Sequence, residues 1–168
     1  QDGEISAYTS FFTFGPEYNL TVDSTSSKDQ MRITVVVRKN DLTLLEKSPW
    51  KNQGDFVANQ PVSIKVDRVW HDKVEEGEYY DPVNKITSKK YRYDRKTEEV
   101  SNQTLNTNDQ GKIDFSQSII TDQQYEVSIA TDDSQNRTAK STIFISGNNY
   151  SLEDQFSAKT SKSEYSIN

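Results

Sequence analysis

Apolar residues recur at every second position through most of this chain, a pattern that suits a pleated strand and not a helix. Met31, Ile33, Val35 and Val37 alternate with Arg32, Thr34, Val36 and Arg38. Val62, Ile64 and Val66 alternate with Ser63, Lys65 and Asp67, and Tyr91 and Tyr93 with Lys90, Arg92 and Asp94. Ile113 and Phe115 flank Asp114; Tyr125, Val127 and Ile129 enclose Glu126 and Ser128; Ser141, Ile143 and Ile145 close the series. Each run predicts a strand with one face on a core and the other in water. No window carries an i, i+3, i+4, i+7 apolar stripe. Between the runs lie turn-forming clusters: Phe14-Gly15-Pro16, Asn108 to Gly111, Asp132 to Asn136 and Gly147-Asn148-Asn149. Strands joined by short polar turns predict an all-β, antiparallel sandwich or barrel.

Composition narrows the chemistry. Hydrophobic residues make up only 32% of the 168 residues, but their grouping into alternating runs marks a folded chain with polar loops. The net charge of −6 carries no basic stripe that would displace counterions from DNA or RNA. Without cysteine there is no disulfide, no thiolate metal site and no cysteine nucleophile in this segment. No stretch approaches the ~20 apolar residues of a membrane-spanning helix.

An immunoglobulin-type sandwich needs about 100 residues, so a single domain here carries insertions or a tail. The expected sandwich covers 1–147, with polar insertions near 39–60 and 71–89. Residues 148–168 are expected to be a linker and the start of a following module. A new strand-like pattern begins there at Lys162-Ser163-Glu164-Tyr165.

The densest chemistry lies between Arg68 and Arg95. This stretch holds His71, the only histidine, with Trp70, Tyr79, Tyr80, Tyr91 and Tyr93. A catalytic histidine needs a partnered nucleophile or carboxylate, and a zinc site needs more ligands than one histidine offers. The neighbouring acids Asp72, Glu75, Glu76 and Glu78 read as a solvated loop, and no pair of carboxylates is singled out for glycoside chemistry. The aromatics suit ordinary packing or an interdomain contact better than a sugar platform. The six residues are therefore candidate contact residues, on or beside a polar excursion (His71 to Lys89) that turns at Asp81-Pro82 and reads as a decorated hairpin, with Tyr91 onward returning as a strand. Asn106 to Gly111 superficially matches a calcium loop, but Gln110 and Gln117 stand where acids are needed. A turn with Gly111 at positive φ is the expectation. Asp132-Asp133 is read as a second turn. Four Asn-x-Ser/Thr triplets, at Asn19, Asn102, Asn136 and Asn149, bear on glycosylation only in a eukaryotic source.

Three segments resemble macroglobulin-like domains. Thr107-Asn108-Asp109-Gln110-Gly111-Lys112 is similar to their T-(D/N)-x-x-G strand-turn-strand. Tyr125 to Asp133, followed by Asn136-Arg137-Thr138, is similar to their Y-x-V-x-(V/I)…D-x-x-G-R hairpin, with Asn136 in place of glycine. Ile145-Ser146-Gly147 resembles their exit strand, and Lys162 to Ile167 the start of a following domain. Gly15-Pro16-Glu17-Tyr18-Asn19-Leu20 resembles the entry strand of such a module, and Glu78 to Lys85 resembles an insertion of the long bacterial members. The resemblance, spanning most of residues 5–167, is to the bacterial alpha-2-macroglobulin family. It implies a macroglobulin-like sandwich of immunoglobulin/fibronectin-III-like architecture, acting as a non-catalytic structural module of a large protease-trapping protein. It further implies an extracellular, cell-surface or periplasmic location, neighbouring modules of the same chain as partners, contact with proteases through the full-length protein, no cofactor and no membrane insertion. The family's Cys-x-Glu-Gln thioester motif is absent from this segment. The alternative is an extracellular adhesin or carbohydrate-binding module, which requires Trp50, Trp70, Tyr79 and Tyr80 to be exposed in one plane.

Overall fold

The computed structural model describes residues 15–46 and 53–147. These form eight strands in two antiparallel sheets packed as a sandwich, with one short 3-10 turn at Leu42–Glu46 and no α-helix among the described residues. Strands β1 (Tyr18–Ser26), β2 (Gln30–Asn40), β3 (Gln53–Phe56) and β6 (Lys112–Ser118) make the first sheet. There β2 is central, with β1 on one side and β6 followed by β3 along the other. The second sheet has the order β5-β4-β7-β8, from β4 (Pro61–Asp81), β5 (Ile86–Asn106), β7 (Gln124–Asp132) and β8 (Thr138–Ser146).

Period two explains the layers. Met31, Ile33, Val35 and Val37 on β2 face Val62, Ile64 and Val66 on β4 and Tyr125, Val127 and Ile129 on β7. Ile113, Phe115, Ile119 and Ile145 close the core. The intervening polar residues are half-buried or exposed. Tyr125 is 2% exposed, and its hydroxyl accepts the backbone N–H of Ile120 at 2.8 Å. A tyrosine at the start of a strand that bonds back a few residues upstream pins the connection crossing between two sheets. Tyr125→Phe should leave that N–H unpaired and lower stability by about 1 kcal/mol, read from a urea midpoint shift at unchanged slope.

Both expected insertions contain strands. Part of 39–60 is not a loop, because β3 pairs with β2 at Asn40↔Gln53 and Arg38↔Phe56. The Arg38 guanidinium lies 3.8 Å from the Phe56 ring centroid and closes that pairing. Residues 47–52 of the segment, with Trp50, lie outside the described residues, as do 148–168 and the Asn149 triplet. The His71–Lys89 excursion is the expected hairpin, and its limbs are unbroken continuations of β4 and β5 joined by the turn after Asp81. The Tyr91/Tyr93 alternation was expected to face the core, but these rings lie on that projecting hairpin. Alternation marks any strand with unlike faces, and here cross-strand neighbours occupy the face that a core occupies elsewhere.

Candidate functional site: a two-stranded arm

Strands β4 and β5 each run 21 residues, but β7 pairs with β4 only from Ser63 to Val69. From Trp70 to Asp81, paired with Ile86 to Lys96, the two strands continue alone. At ~3.3 Å per residue the arm projects about 36 Å beyond the sandwich. A free two-stranded ribbon is marginal in water without extra ties. Here exposed ion pairs add to the backbone ladder, each only weakly because water screens exposed charges. The β4 limb carries Asp72, Glu75, Glu76, Glu78 and Asp81; the β5 limb carries Lys89, Lys90, Arg92, Arg95 and Lys96. Lys89 Nζ meets Glu75 at 2.8 Å, and Lys90 and Arg92 each meet Glu76 at 3.2 Å. Arg92 also holds Asp94 at 2.6 Å, and Arg95 reaches back to Glu126 on β7. Charges along both open edges also discourage pairing with foreign strands.

The tip is built by Asp81. Its carboxylate accepts the N–H groups of Val83 (2.9 Å) and Asn84 (3.2 Å) and the Asn84 side-chain amide (2.6 Å). The Asn84 amide, then the Asn84 and Val83 backbone N–H groups, hold the Asp81 carboxyl below its usual range. Around this fixed turn Tyr79, Tyr80, Val83 and Ile86 are each more than half exposed. Lys85, at φ 54, sits in the turn and is exposed. Limited trypsin digestion should therefore cut first after Lys85 and leave the sandwich intact, with the nicked position read by mass spectrometry. First cleavage within β2 or β7 would contradict this.

Register places the six candidate residues. Directly opposed residues of an antiparallel pair share a face. Arg68 stacks 4.9 Å from the Trp70 ring and Trp70 Nε1 donates to Asp72 at 3.1 Å, so these three share the inner face, the continuation of the core side. Tyr79, opposite Ser88, belongs to it as well. His71 opposes Arg95, Tyr93 opposes Lys73, Tyr91 lies 4.0 Å from the Lys73 ammonium, and Tyr80 opposes Thr87. These four share the outer face. The irregularity at Glu75 to Gly77, with Gly77 at φ 123, lets β4 keep this sorting despite an extra residue. Trp70 and Tyr79 are thus ~30 Å apart on one face and the other four lie behind them. The arm does not assemble Trp70, Tyr79 and Tyr80 into one plane, and Trp50 is outside the described residues. His71 is half-buried, its Nδ1 has no hydrogen-bond partner, and no hydrogen bond joins it to a carboxylate among the described residues.

Outside the arm, the polar turns are occupied by their own backbone. Asn108 Oδ1 accepts the N–H groups of Gln110 and Lys112, and Gly111 takes φ 66 as the turn reading expects. Thr107 is buried, its hydroxyl donating to Val57 O at 2.6 Å and accepting Gln60 N–H at 2.9 Å. Both oxygens of Asp133 are engaged: Oδ1 by Gln135 and Arg137 N–H, Oδ2 by Glu17 N–H and Arg137 Nε. No group of three or more potential metal ligands exists among the described residues, and no described helix is long and apolar enough to cross a membrane. A shallow groove on the outer face of the first sheet, between Asp23, Arg32 and Asp114, has Asp114 already bound to Thr34 and Lys112.

Sequence reasoning missed Arg68 and Gln123, which meet at the base of the arm. The Arg68-x-Trp70 spacing on a strand was the legible signal for half of that contact. No family model matches this chain, and no curated protein matches it.

Proposed function

We propose that this chain is a non-catalytic structural module of a large bacterial alpha-2-macroglobulin-like protease-trapping protein, working at the cell surface or in the periplasm. The carrying observation is the clasp at Asp133. In the D-x-x-(G/N)-R segment Asn136 takes φ 57, as glycine would, and Arg137 closes on Asp133 at 2.7 Å. That clasp also holds Glu17, so two of the segments that carry the resemblance, the start of the first strand and the Tyr125–Thr138 hairpin, meet at one joint. Two stacked antiparallel sheets and the Tyr125 corner, a device of immunoglobulin-like sandwiches, support that reading. Occupied polar turns and a projecting, self-paired arm suit a part that holds other parts in place. The partners are then neighbouring modules of the same chain, and proteases only through the whole protein. An adhesin or sugar-binding module gains no support from aromatics split between two faces.

Two measurements test this reading. The isolated chain should turn over no peptide, ester or glycoside substrate. The parent gene should encode further modules of this type, with a Cys-x-Glu-Gln motif or a protease-sensitive segment downstream. A wall anchor and adhesin repeats on either side would overturn it, and glycan binding lost in Trp70→Ala or Tyr80→Ala would put the alternative in its place.

A further inference from the structure

From Trp70 onward β7 no longer pairs with β4, and β5 is the last strand of its sheet. Among the described residues, both limbs of the arm therefore end in open edges, where every second residue turns its N–H and C=O outward. The two edges differ in charge. Trp70 to Asp81 carries five acids and one lysine, Ile86 to Lys96 five bases and one aspartate, so with His71 neutral the limbs stand at −4 and +4. Asp72 and Glu78 on β4 and Lys96 on β5 are exposed and lie outside the arm's ion pairs. A twofold contact between arms would lay β4 on β4 or β5 on β5, with like charges opposed. Setting β4 of one copy against β5 of another opposes unlike charges. Sterics then fix the direction. A second arm pointing the same way would drive its sandwich into β7 and β8, which hold the lane below Val69. Pointing the other way, its β5 limb enters tip first and runs parallel to β4.

We propose that copies of this chain pair through their arms, the basic β5 limb of one lying against the acidic β4 limb of the next. The contact is heterologous. Each copy added leaves one acidic and one basic edge open, so assembly proceeds as an open series. A shared edge of about eleven residues is small for a stable interface, so each contact is weak, and its charges make it salt-dependent. The edge charges thus turn away strands of like sign and admit one of opposite sign. This goes beyond the reading of the chain as a structural module. Substrate turnover would sink that reading and leave the measurements below untouched.

Sedimentation equilibrium of the whole chain, from about 10 μM to about 1 mM, tests this. The average mass should rise with concentration and pass that of a dimer, and the association constant should fall about tenfold between about 50 mM and about 500 mM salt. Two variants then cap one edge each. Asp72→Lys with Glu78→Lys brings the β4 limb to zero net charge and leaves β5 basic. Lys89→Glu with Lys96→Glu brings the β5 limb to zero and leaves β4 acidic. Amides of β2 and β7 should stay protected in both, so that lost association is not lost fold. Each variant alone should be monomeric, and the two mixed in equal amounts should form a dimer and stop there, because one acidic and one basic edge remain to meet. A parent that is monomeric throughout overturns the proposal. So does a parent that stops at a dimer, which would mark a twofold contact elsewhere, or a mixture no more associated than its parts.

Discussion

Gly111→Ala is expected to lower the melting temperature by about 10 °C, from a loss on the order of 3 kcal/mol. Two costs combine at this position. Gly111 takes φ 66, where a side chain adds about 1 kcal/mol of strain. A Cβ would also stand 2.5 Å from the backbone oxygen of Val37 and 3.1 Å from Val57 N. Neither neighbour can swing aside, because Val37 is a core position on the central strand of its sheet. Its N–H donates to the Gly111 carbonyl at 2.8 Å, so relieving the clash breaks that bond too. Gly77 provides the control. It takes φ 123, but nothing lies within 4 Å of an added Cβ. Gly77→Ala should strain only the arm and leave the main thermal transition within ~2 °C of the parent. Equal shifts for the two variants would refute the steric account.

Asp133→Asn should cost a similar amount at pH 7, again about 10 °C, and should also change how stability depends on pH. The Asp133 side chain is fully shielded from solvent. Burial alone would raise its pKa. The backbone N–H groups of Glu17, Arg137 and Gln135, with the Arg137 guanidinium, outweigh burial and hold the carboxyl far below the usual carboxylate range. A depressed folded-state pKa contributes stability that is complete above the unfolded value of ~3.9 and drains away as pH falls below it. The parent should therefore lose stability steeply from pH 4 to pH 2, and the variant less so. The two melting curves should converge toward acid. Asp81, Asp94 and Asp114 are also held low by their hydrogen bonds, so both proteins keep a shared acid-sensitive component. A constant gap between the two curves from pH 7 to pH 2 would show that the charge of Asp133 is not what stabilises the clasp.

The strands of the core were legible because a half-buried pleat imposes period two on the sequence. The turns at Gly111 and Asn136 were legible because positive φ selects glycine and asparagine. The site was legible only as a region. His71, Trp70 and the four tyrosines were picked out by residue type, but type says nothing about which face each occupies. That depends on the pairing of β4 with β5 and on an extra residue near Gly77, which shifts every position beyond it. The polar run from His71 to Lys89 was legible as a decorated hairpin turning near Asp81, but not as strands continuous with the core, because no apolar face marks a ribbon without a core behind it. Its regularity is that of the backbone ladder, and its cross-limb ion pairs, Glu75 with Lys89 and Glu76 with Lys90 and Arg92, are diagonal ones that exist only once the register is set.

By itself, then, the sequence determined the class of the protein. Alternating runs and polar turns predict antiparallel sheets in a sandwich or barrel, and the lack of cysteine rules out thiol chemistry in this segment. Tertiary structure alone decided that Glu17 meets Asp133, 116 positions away, that Gln123 meets Arg68, and that the pairing of β4 with β7 stops at Val69 while β4 runs on. The physical reason is range. Backbone sterics and burial act on neighbouring residues and leave a local pattern. Contacts between distant strands depend on how the sheets pair and cross, and single residues carry no trace of that.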